Sequence, residues 1–179
     1  MVVNDTWLKL HPEIFTPFVD HQVREEDGRK VISFGVSSAG YDIRLSSEFK
    51  MYSAQVLDAK KTLNDIPKNS DNPFELLGHD FILARSLEWI KIPSNCVGTC
   101  YGKSTYARVG LLVNVTPLEP GWEGFLTIEL SNTTPYPIML YPNEGIAQIV
   151  LNIIEPPEVS YDKRNGKYMN QTGVVLPLI

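Results

Sequence analysis

Short apolar segments separated by turn-forming residues constrain the fold of this chain more than any other feature. The 179 residues include 13 prolines and 12 glycines, spread along the whole chain. The apolar runs between them are rich in β-branched and aromatic residues, and they span residues 81–84, 87–92, 125–130, 138–140 and 146–154. Runs of this length, bounded by turn residues, are typical of strands in a sandwich or barrel. The sequence therefore predicts a mostly β fold.

Helix signals are few. Asn4 is a good N-cap for a short helix over residues 6–10, and a second short helix is predicted from Ser104 to Arg108. Residues 58–80 are rich in lysine, asparagine, aspartate and proline, so we predict a long surface excursion with local helix at most. Because strand-like periodicity continues on both sides of it, residues 1–179 are predicted to form a single domain.

The composition excludes several classes of partner. The chain has 43% hydrophobic and 21% charged residues, as globular domains do, and a net charge of −5. Proteins that bind a nucleic-acid backbone carry a basic face, so nucleic acid is not expected as a partner. Residues 1–5 lack the features of a signal peptide, and no apolar run reaches the ~18 residues of a membrane helix. We expect a cytoplasmic protein without a membrane partner.

The sequence contains an incomplete zinc-deaminase motif and one pair of cysteines. His11 and Glu13 match the H-x-E half of a zinc nucleobase deaminase, but the P-C-x-x-C half is missing, so no zinc site is expected. Cys96 and Cys100 are spaced C-x₃-C, which favours two buried free thiols, with a disulfide or half of a metal site as alternatives.

The segment Gly102-Lys103-Ser104 matches only the end of a P-loop, because the required glycine five residues earlier is replaced by Val97. A glycine turn that leads into a helix still exposes backbone amides that bind anions. The alternative interpretation is a capped surface helix with a solvated lysine and arginine.

Glu129 is a carboxylate inside an apolar strand pattern. Alternation places it on the same face as Thr127 and Ser131, and the apolar residues between them on the other face. That face either lies in water or lines a pocket. In the second case the carboxylate is placed to accept a proton from water.

The C-terminal residues 156–179 form a polar tail with an apolar end. Lys163, Arg164, Lys167 and Gln171 give it a basic and polar middle, and its last six residues are apolar. An apolar terminus is expected to dock, so we predict that the tail closes over a binding site. The alternative is a solvated arm.

Taken in order, these motifs resemble the dCTP deaminase branch of the dUTPase-like superfamily. The resemblance is carried by residues 31–44, 102–110, 114–117, 119–124, 126–132, 145–148 and 166–168, with Gln171 and Gly173. It implies a β-barrel or jelly-roll subunit with short helices, and a homotrimer with sites between neighbouring subunits. It also implies hydrolysis of dCTP to dUTP and ammonia without zinc, with Mg²⁺ accompanying the triphosphate. Further nucleotide ligands would be dTTP or dUTP.

The resemblance also implies residue roles. Glu129 matches the general base that activates water, and Ser104 and Arg108 match residues from the adjacent subunit that support the water and the base. The substrate-binding positions would be Lys103, Thr105, Thr116, Pro117, Thr127, Gln148, Tyr161, Lys167 and Gln171. Of these, Lys103 matches a phosphate contact, and the hairpin with Thr116 and Pro117 matches the part whose main chain reads the pyrimidine.

One hairpin departs from part of the family. Bifunctional members, which continue from dUTP to dUMP, have a hairpin two residues longer, with Ile-Asp before the Pro/Ala-Gly pair. This chain reads Pro117-Leu118-Glu119-Pro120-Gly121. The short hairpin favours the deaminase alone, although Glu119 leaves open whether a carboxylate replaces that aspartate.

Overall fold

The computed structural model describes residues 1–53, 56–61 and 63–178. These residues contain twelve antiparallel strands and three short helical segments. The helical segments are α1 (Asp5–Lys9), a 3₁₀ turn (Pro12–Ile14) and α2 (Ser104–Ala107). The strands are β1 (Phe15–Thr16), β2 (Gln22–Glu26), β3 (Arg29–Ser37), β4 (Gly40–Tyr52), β5 (Asp65–Asn69), β6 (Phe74–Leu76), β7 (Phe81–Lys91), β8 (Cys96–Gly102), β9 (Leu111–Asn114), β10 (Glu123–Asn132), β11 (Ile138–Leu140) and β12 (Gly145–Ile153). The prediction of a mostly β fold is confirmed.

The long strand β4 joins the two halves of the main sheet. Its first residues pair with β3 and β12, and its residues from Leu45 onward pair with β7 and β5. The order through the sheet is β2-β3-β4-β7-β10-β9, with β12 and β8 attached on the β3 side of β4. Since one strand serves both halves, the sheet folds around one core, as in a barrel or jelly roll.

A buried ion pair marks the point where β4 changes partners. Arg44 Nε donates to Glu88 Oε1 at 2.7 Å, and the Arg44 backbone amide donates to Oε2 at 2.9 Å. The next amide, of Leu45, donates to the carbonyl of Glu144 at 2.9 Å. Glu88 is fully buried on β7, so its carboxylate replaces a strand acceptor where the regular ladder is interrupted.

Aromatic and aliphatic side chains from both halves fill the core. Tyr41 and Phe15 are fully buried and stack with their ring centroids 4.1 Å apart. On β10 the inward residues alternate with the outward ones, as predicted: Leu126, Ile128 and Leu130 are at most 5% exposed. The outward face of β10, which carries Glu129, does not pack into this core and remains partly exposed.

The helix predictions are confirmed. Helix α1 begins after Asn4, whose Oδ1 accepts a hydrogen bond from the Trp7 amide at 3.0 Å, and α2 begins at Ser104. The runs 81–84 and 87–92 are not separate strands: β7 contains the first run and residues 87–91 of the second.

The prediction of a surface excursion over residues 58–80 is wrong in part, because this segment contributes β5 and β6 to the sheets; Thr62 lies outside the described residues. Strand β5 pairs with β4 from Tyr52↔Asp65 to Glu48↔Asn69. Within the described residues its other edge has no partner, so polar side chains and Pro67 are tolerated there without any apolar alternation.

Truncation of the core side chain Leu130 to alanine should lower the free energy of unfolding by about 2–5 kcal/mol, because it leaves a cavity in the core beneath β10. The matched control is Leu10→Ala, since Leu10 is 73% exposed and its truncation should cost at most about 0.5 kcal/mol. Chemical denaturation of both variants checks the difference. Equal losses would contradict this account of the core.

Candidate active site

A cleft of about 510 Å³ lies over the outward face of β10. Three parts of the chain line it: strand residues Tyr52, Phe81, Leu83, Leu126, Thr127 and Glu129; residues 115–119 and Trp122 of the β9–β10 connection; and tail residues Tyr161, Tyr168, Gln171 and 175–177. The walls are largely aromatic and aliphatic. A planar, partly polar ligand suits such a lining.

Glu129 is the carboxylate on the strand floor of this cleft. In the register of β10 it faces Asn114 on β9 and Leu83 on β7, and its Oε2 accepts a hydrogen bond from Asn114 Nδ2 at 3.4 Å. Burial raises the pKa of Glu129, while hydrogen bonds from the backbone and from Asn114 oppose this rise in part. Within the described residues Glu129 takes part in no salt bridge. A half-buried carboxylate with a raised pKa is suited to accept a proton.

The loop with Thr116 and Pro117 is fixed at the cleft by one short bridge. The amides and carbonyls of Leu118 and Gly98 exchange two hydrogen bonds of 2.9 Å. A Cβ at Gly98 would lie 3.0 Å from the Leu118 side chain, so this close approach favours glycine. With Leu118 buried, Thr116 and Pro117 remain exposed in the cleft wall.

The C-terminal tail runs beside β10 and completes the cleft. The carbonyl of Glu123 accepts from the Asn170 amide at 2.8 Å, and the Phe125 amide donates to the Gln171 carbonyl at 2.9 Å. The hydroxyl of Thr127 donates to Gln171 Oε1 at 2.8 Å, which brings these two predicted site residues together. Tyr161 also lines the cleft, whereas Lys167 is exposed and donates to the carbonyl of Leu178 at 3.4 Å.

Helix α2 carries three predicted site residues on an exposed surface. Its buried Tyr106 anchors it, because the phenol oxygen accepts a hydrogen bond from the Tyr141 amide at 3.0 Å. Ser104, Thr105 and Arg108 are exposed. None of these three belongs to the described lining of the cleft that holds Glu129.

Lys103 and Gln148 meet at a buried carboxylate instead. Asp42 is 2% exposed; its Oδ2 accepts from Lys103 Nζ at 2.6 Å and from Gln22 Nε2 at 2.9 Å, and its Oδ1 accepts from Gln148 Nε2 at 3.1 Å. Lys103 also donates to Ser33 Oγ at 3.0 Å. Lys103 directly precedes α2. Its cluster ties it to β3, β4 and β12 and so fixes the start of the helix.

Sequence reasoning missed several residues that line the cleft, and also Asn114, which donates to Glu129 but is not part of the described lining. Asn114 and Trp122 lie inside motifs that were recognised, but their contribution depends on strand register and on the tail: Trp122 Nε1 donates to the carbonyl of Tyr168 at 2.8 Å. Tyr52 and Phe81 come from strands far apart in sequence. No local pattern marks such residues, because only the fold brings them to Glu129.

Both cysteines are free, as the favoured interpretation predicted; Cys96 is buried and Cys100 half-buried. Burial raises the pKa of Cys100 to about 12, and the nearby charge of Glu129 adds to this rise. In the described part of the chain, no group of three or more His, Cys, Asp or Glu residues is arranged to hold a metal ion. The described helices are all too short or too polar to cross a membrane.

The fold and the cleft together define the class of protein: a mostly β protein with a half-buried carboxylate of raised pKa in a cleft that the C-terminal tail helps to line. A family model described as dCTP deaminase-like matches residues 16–154. The chain belongs to this dCTP deaminase-like family, which confirms the resemblance found in the sequence.

Individual relatives agree with this assignment. A dCTP deaminase of Neisseria meningitidis serogroup A is 46% identical in an alignment of 187 residues that covers 98% of this chain and 98% of the relative. One from Herpetosiphon aurantiacus is 46% identical over 193 residues, which cover 98% of this chain and 97% of the relative. The fold is similar to that of the 2′-deoxycytidine 5′-triphosphate deaminase from Agrobacterium tumefaciens, with a TM-score of 0.60 and 17% identity over 85% of this chain and 47% of that chain.

Replacement of Asp42 by alanine should lower the free energy of unfolding by about 3–5 kcal/mol, because it leaves the Lys103 ammonium buried without its counter-charge. The control is Asp58→Ala, which breaks the exposed Asp58–Lys61 pair and should cost at most about 1 kcal/mol. Denaturant titrations at constant pH measure both losses. A loss at Asp42 no larger than that at Asp58 would show that this cluster does not hold the start of α2.

Proposed function

We propose that this chain is a dCTP deaminase, which hydrolyses dCTP to dUTP and ammonia. The observation that carries the proposal is the half-buried Glu129, whose raised pKa suits a general base, on the floor of an aromatic cleft. Relatives named dCTP deaminase, 46% identical over nearly the full length, support the choice of substrate. Such an enzyme supplies dUTP for pyrimidine deoxynucleotide synthesis in the cytoplasm.

In the proposed reaction Glu129 takes a proton from water while the water oxygen bonds to C4 of the cytosine ring. The protonated carboxyl gives this proton to the ring nitrogen N3, which leaves a tetrahedral carbon with one hydroxyl and one amino group. Glu129 then moves the hydroxyl proton to the amino group, the C4–N bond breaks, and ammonia leaves. Desolvation of Glu129 in the cleft raises its basicity and so favours the first of these transfers.

The loop and the tail would orient the nucleotide. Thr116 and Pro117 stand in the cleft wall beside Glu129, so their main-chain groups can bind the edge of the pyrimidine. Thr127, Tyr161 and Gln171 lie on the tail side, where the sugar and the phosphates would extend toward Lys167. The described part of the tail, residues 156–178, would then exclude water from the reacting ring.

The active enzyme is proposed to be a homotrimer in which the neighbouring subunit completes each site. Ser104 and Arg108 are exposed on α2, and they do not line the described cleft of their own chain. Glu129 has no cation beside it within the described residues. An arginine from a neighbour would supply this positive charge and stabilise the ionised base. Lys103, Thr105 and Gln148 would contribute from the same side.

Mg²⁺ would accompany the triphosphate, and zinc would take no part. Because the described residues form no three-residue cluster of metal ligands, the phosphate oxygens and water would hold the Mg²⁺, whose role is to neutralise phosphate charge. Zinc would need several thiolate, imidazole or carboxylate ligands at one place, and the described residues bring no three such groups together.

Two alternatives differ in the product formed. A bifunctional enzyme or a dUTPase would release pyrophosphate and dUMP; here Glu119 lines the cleft but is bound by Arg164 of the tail, which favours the deaminase alone. A non-catalytic nucleotide-binding module would turn over no dCTP. Separate incubations with dCTP and with dUTP, each with Mg²⁺ and with ammonia, dUTP and dUMP measured together, distinguish these cases. A plain dUTPase would convert dUTP alone, and a non-catalytic module would convert neither nucleotide.

Replacement of Glu129 by glutamine keeps the size of the side chain and removes the base. Turnover of dCTP should fall by roughly 10²–10⁴-fold, the usual contribution of a positioned base. Binding of dCTP, measured by calorimetry, should change little, because the glutamine fills the same space. Near-normal ammonia release by this variant would refute the role of Glu129.

A shared site predicts that two inactive variants restore each other. In a cyclic trimer that mixes Glu129→Gln with Arg108→Ala chains, one interface joins an intact Glu129 to an intact Arg108. Each mixed trimer should therefore recover about a third of the wild-type activity, and a random 1:1 co-expressed mixture about a quarter, while each homotrimer stays inactive. Absence of recovery in mixed trimers verified by native mass spectrometry would indicate sites built within single subunits.

A further inference from the structure

A short tail segment, residues 171–175, is held on the sheet by two side chains. The Val175 amide donates to Thr127 Oγ1 at 3.2 Å, and the Val174 amide donates to Glu48 Oε1 at 2.8 Å. Val174 is 4% exposed, so its backbone cannot rely on water for this bond. The cleft-lining residues on either side are Gln171 and 175–177.

Glu48 is itself fixed by the sheet. Its Oε2 accepts from Arg85 Nε at 2.7 Å, and the Arg85 guanidinium lies 4.2 Å from the centroid of the Phe125 ring. Burial acts to raise the pKa of Glu48, but the hydrogen bonds from Arg85 and Val174 outweigh it and lower the pKa. One carboxylate oxygen is thus bound to the sheet and the other to the tail.

The approach of the tail to Glu48 is unusually close. A Cβ added at Gly173 would lie 2.9 Å from Glu48 Oε1, so a side chain there would displace the carboxylate. Among the described residues, Glu48 is also the one carboxylate that accepts a backbone hydrogen bond from the tail beyond Gln171. Hydrogen bonds to an ionised acceptor are about twice as strong as neutral ones.

We propose that Glu48 is a positioning residue for the proposed deaminase: held by Arg85, it clamps the C-terminal tail through the Val174 amide and keeps the tail part of the cleft in place over Glu129. Glu48 does not itself belong to the described lining of the cleft. It acts through the tail, and this role in catalysis rests on the proposed function.

A matched control lies on the neighbouring strand β5, which pairs with the strand of Glu48. Asp65 pairs with Lys50 of β4 at 3.2 Å, and its side chain is 24% exposed, close to the 28% of Glu48. Among the described contacts Asp65 makes none with the tail. Asp65→Ala therefore removes a comparable ion pair from β4 and leaves the tail contacts intact.

The test uses full-length Glu48→Ala, Glu48→Gln and Asp65→Ala, each first checked for native circular dichroism. Trypsin cleavage after Lys163, Arg164 or Lys167, followed by mass spectrometry of the released C-terminal peptide, reports opening of the tail without nucleotide. Glu48→Ala should be cleaved about 10–100 times faster than the wild type, since one charge-assisted hydrogen bond is lost. Glu48→Gln should be intermediate, and Asp65→Ala should match the wild type.

Kinetics then test the link to catalysis. Glu48→Ala should raise the KM for dCTP by about the same factor as the cleavage rate, with a smaller change in kcat, and Asp65→Ala should change neither. Cleavage of a folded Glu48→Ala or Glu48→Gln protein at the wild-type rate would overturn the proposal, as would fast cleavage with unchanged KM. If Glu48→Ala does not fold, Glu48→Gln decides alone. Wild-type protein that turns over no dCTP refutes the proposed function instead, while the cleavage rates still report the clamp.

Discussion

The buried ion pair between Arg44 and Glu88 is the interaction on which the geometry of the sheet depends. It lies where β4 leaves β3 and β12 and joins β7, and the carboxylate accepts from both the side chain and the backbone amide of Arg44. Burial raises the pKa of Glu88, so the nearby guanidinium is needed to keep the charge. Arg44 also lies over the Phe34 ring at 4.7 Å, and its Nη2 is buried without an acceptor among the described residues. Loss of either partner would leave an isolated charge in the core.

The point where β4 changes partners also sets the position of Glu129, through the bulge on β10. Ser86, two residues before Glu88, donates to the Glu88 carbonyl at 2.7 Å and accepts from the Leu126 amide at 2.9 Å. The register of β10 against β7 shifts between Phe125 and Thr127 at this point, and from there Glu129 faces Leu83. A slip of one residue would turn Glu129 into the core. The catalytic carboxylate we propose is therefore oriented by a polar network on the strands β7 and β4.

The sequence predicts those features that depend on local patterns. Alternation over residues 125–130 predicted which face of β10 carries Glu129, and Asn4 predicted the start of α1. Features that depend on contacts between distant residues were not predictable in this way. Strand β5 is a polar edge strand without a periodic signal, and Lys103 looks like a free cation until its partner Asp42, 61 positions earlier, is known. The family resemblance assigned residues to a site and assigned Ser104 and Arg108 to the adjacent subunit, but it did not give the contacts within one chain.

The charges of Glu129 and Arg108 explain why the predicted site residues lie in two separate places. Within the described residues, Glu129 lies in a cleft without a cation, and Arg108 lies on the surface of α2 without a carboxylate. Each group alone is poorly compensated, because a half-buried carboxylate is costly and an exposed guanidinium stabilises little. A second copy that brings Arg108 to Glu129 would satisfy both, and it would place Ser104 beside the attacking water. In such an assembly each subunit would carry half of a site on each of two surfaces, and the energy of pairing these charges would be gained only on assembly.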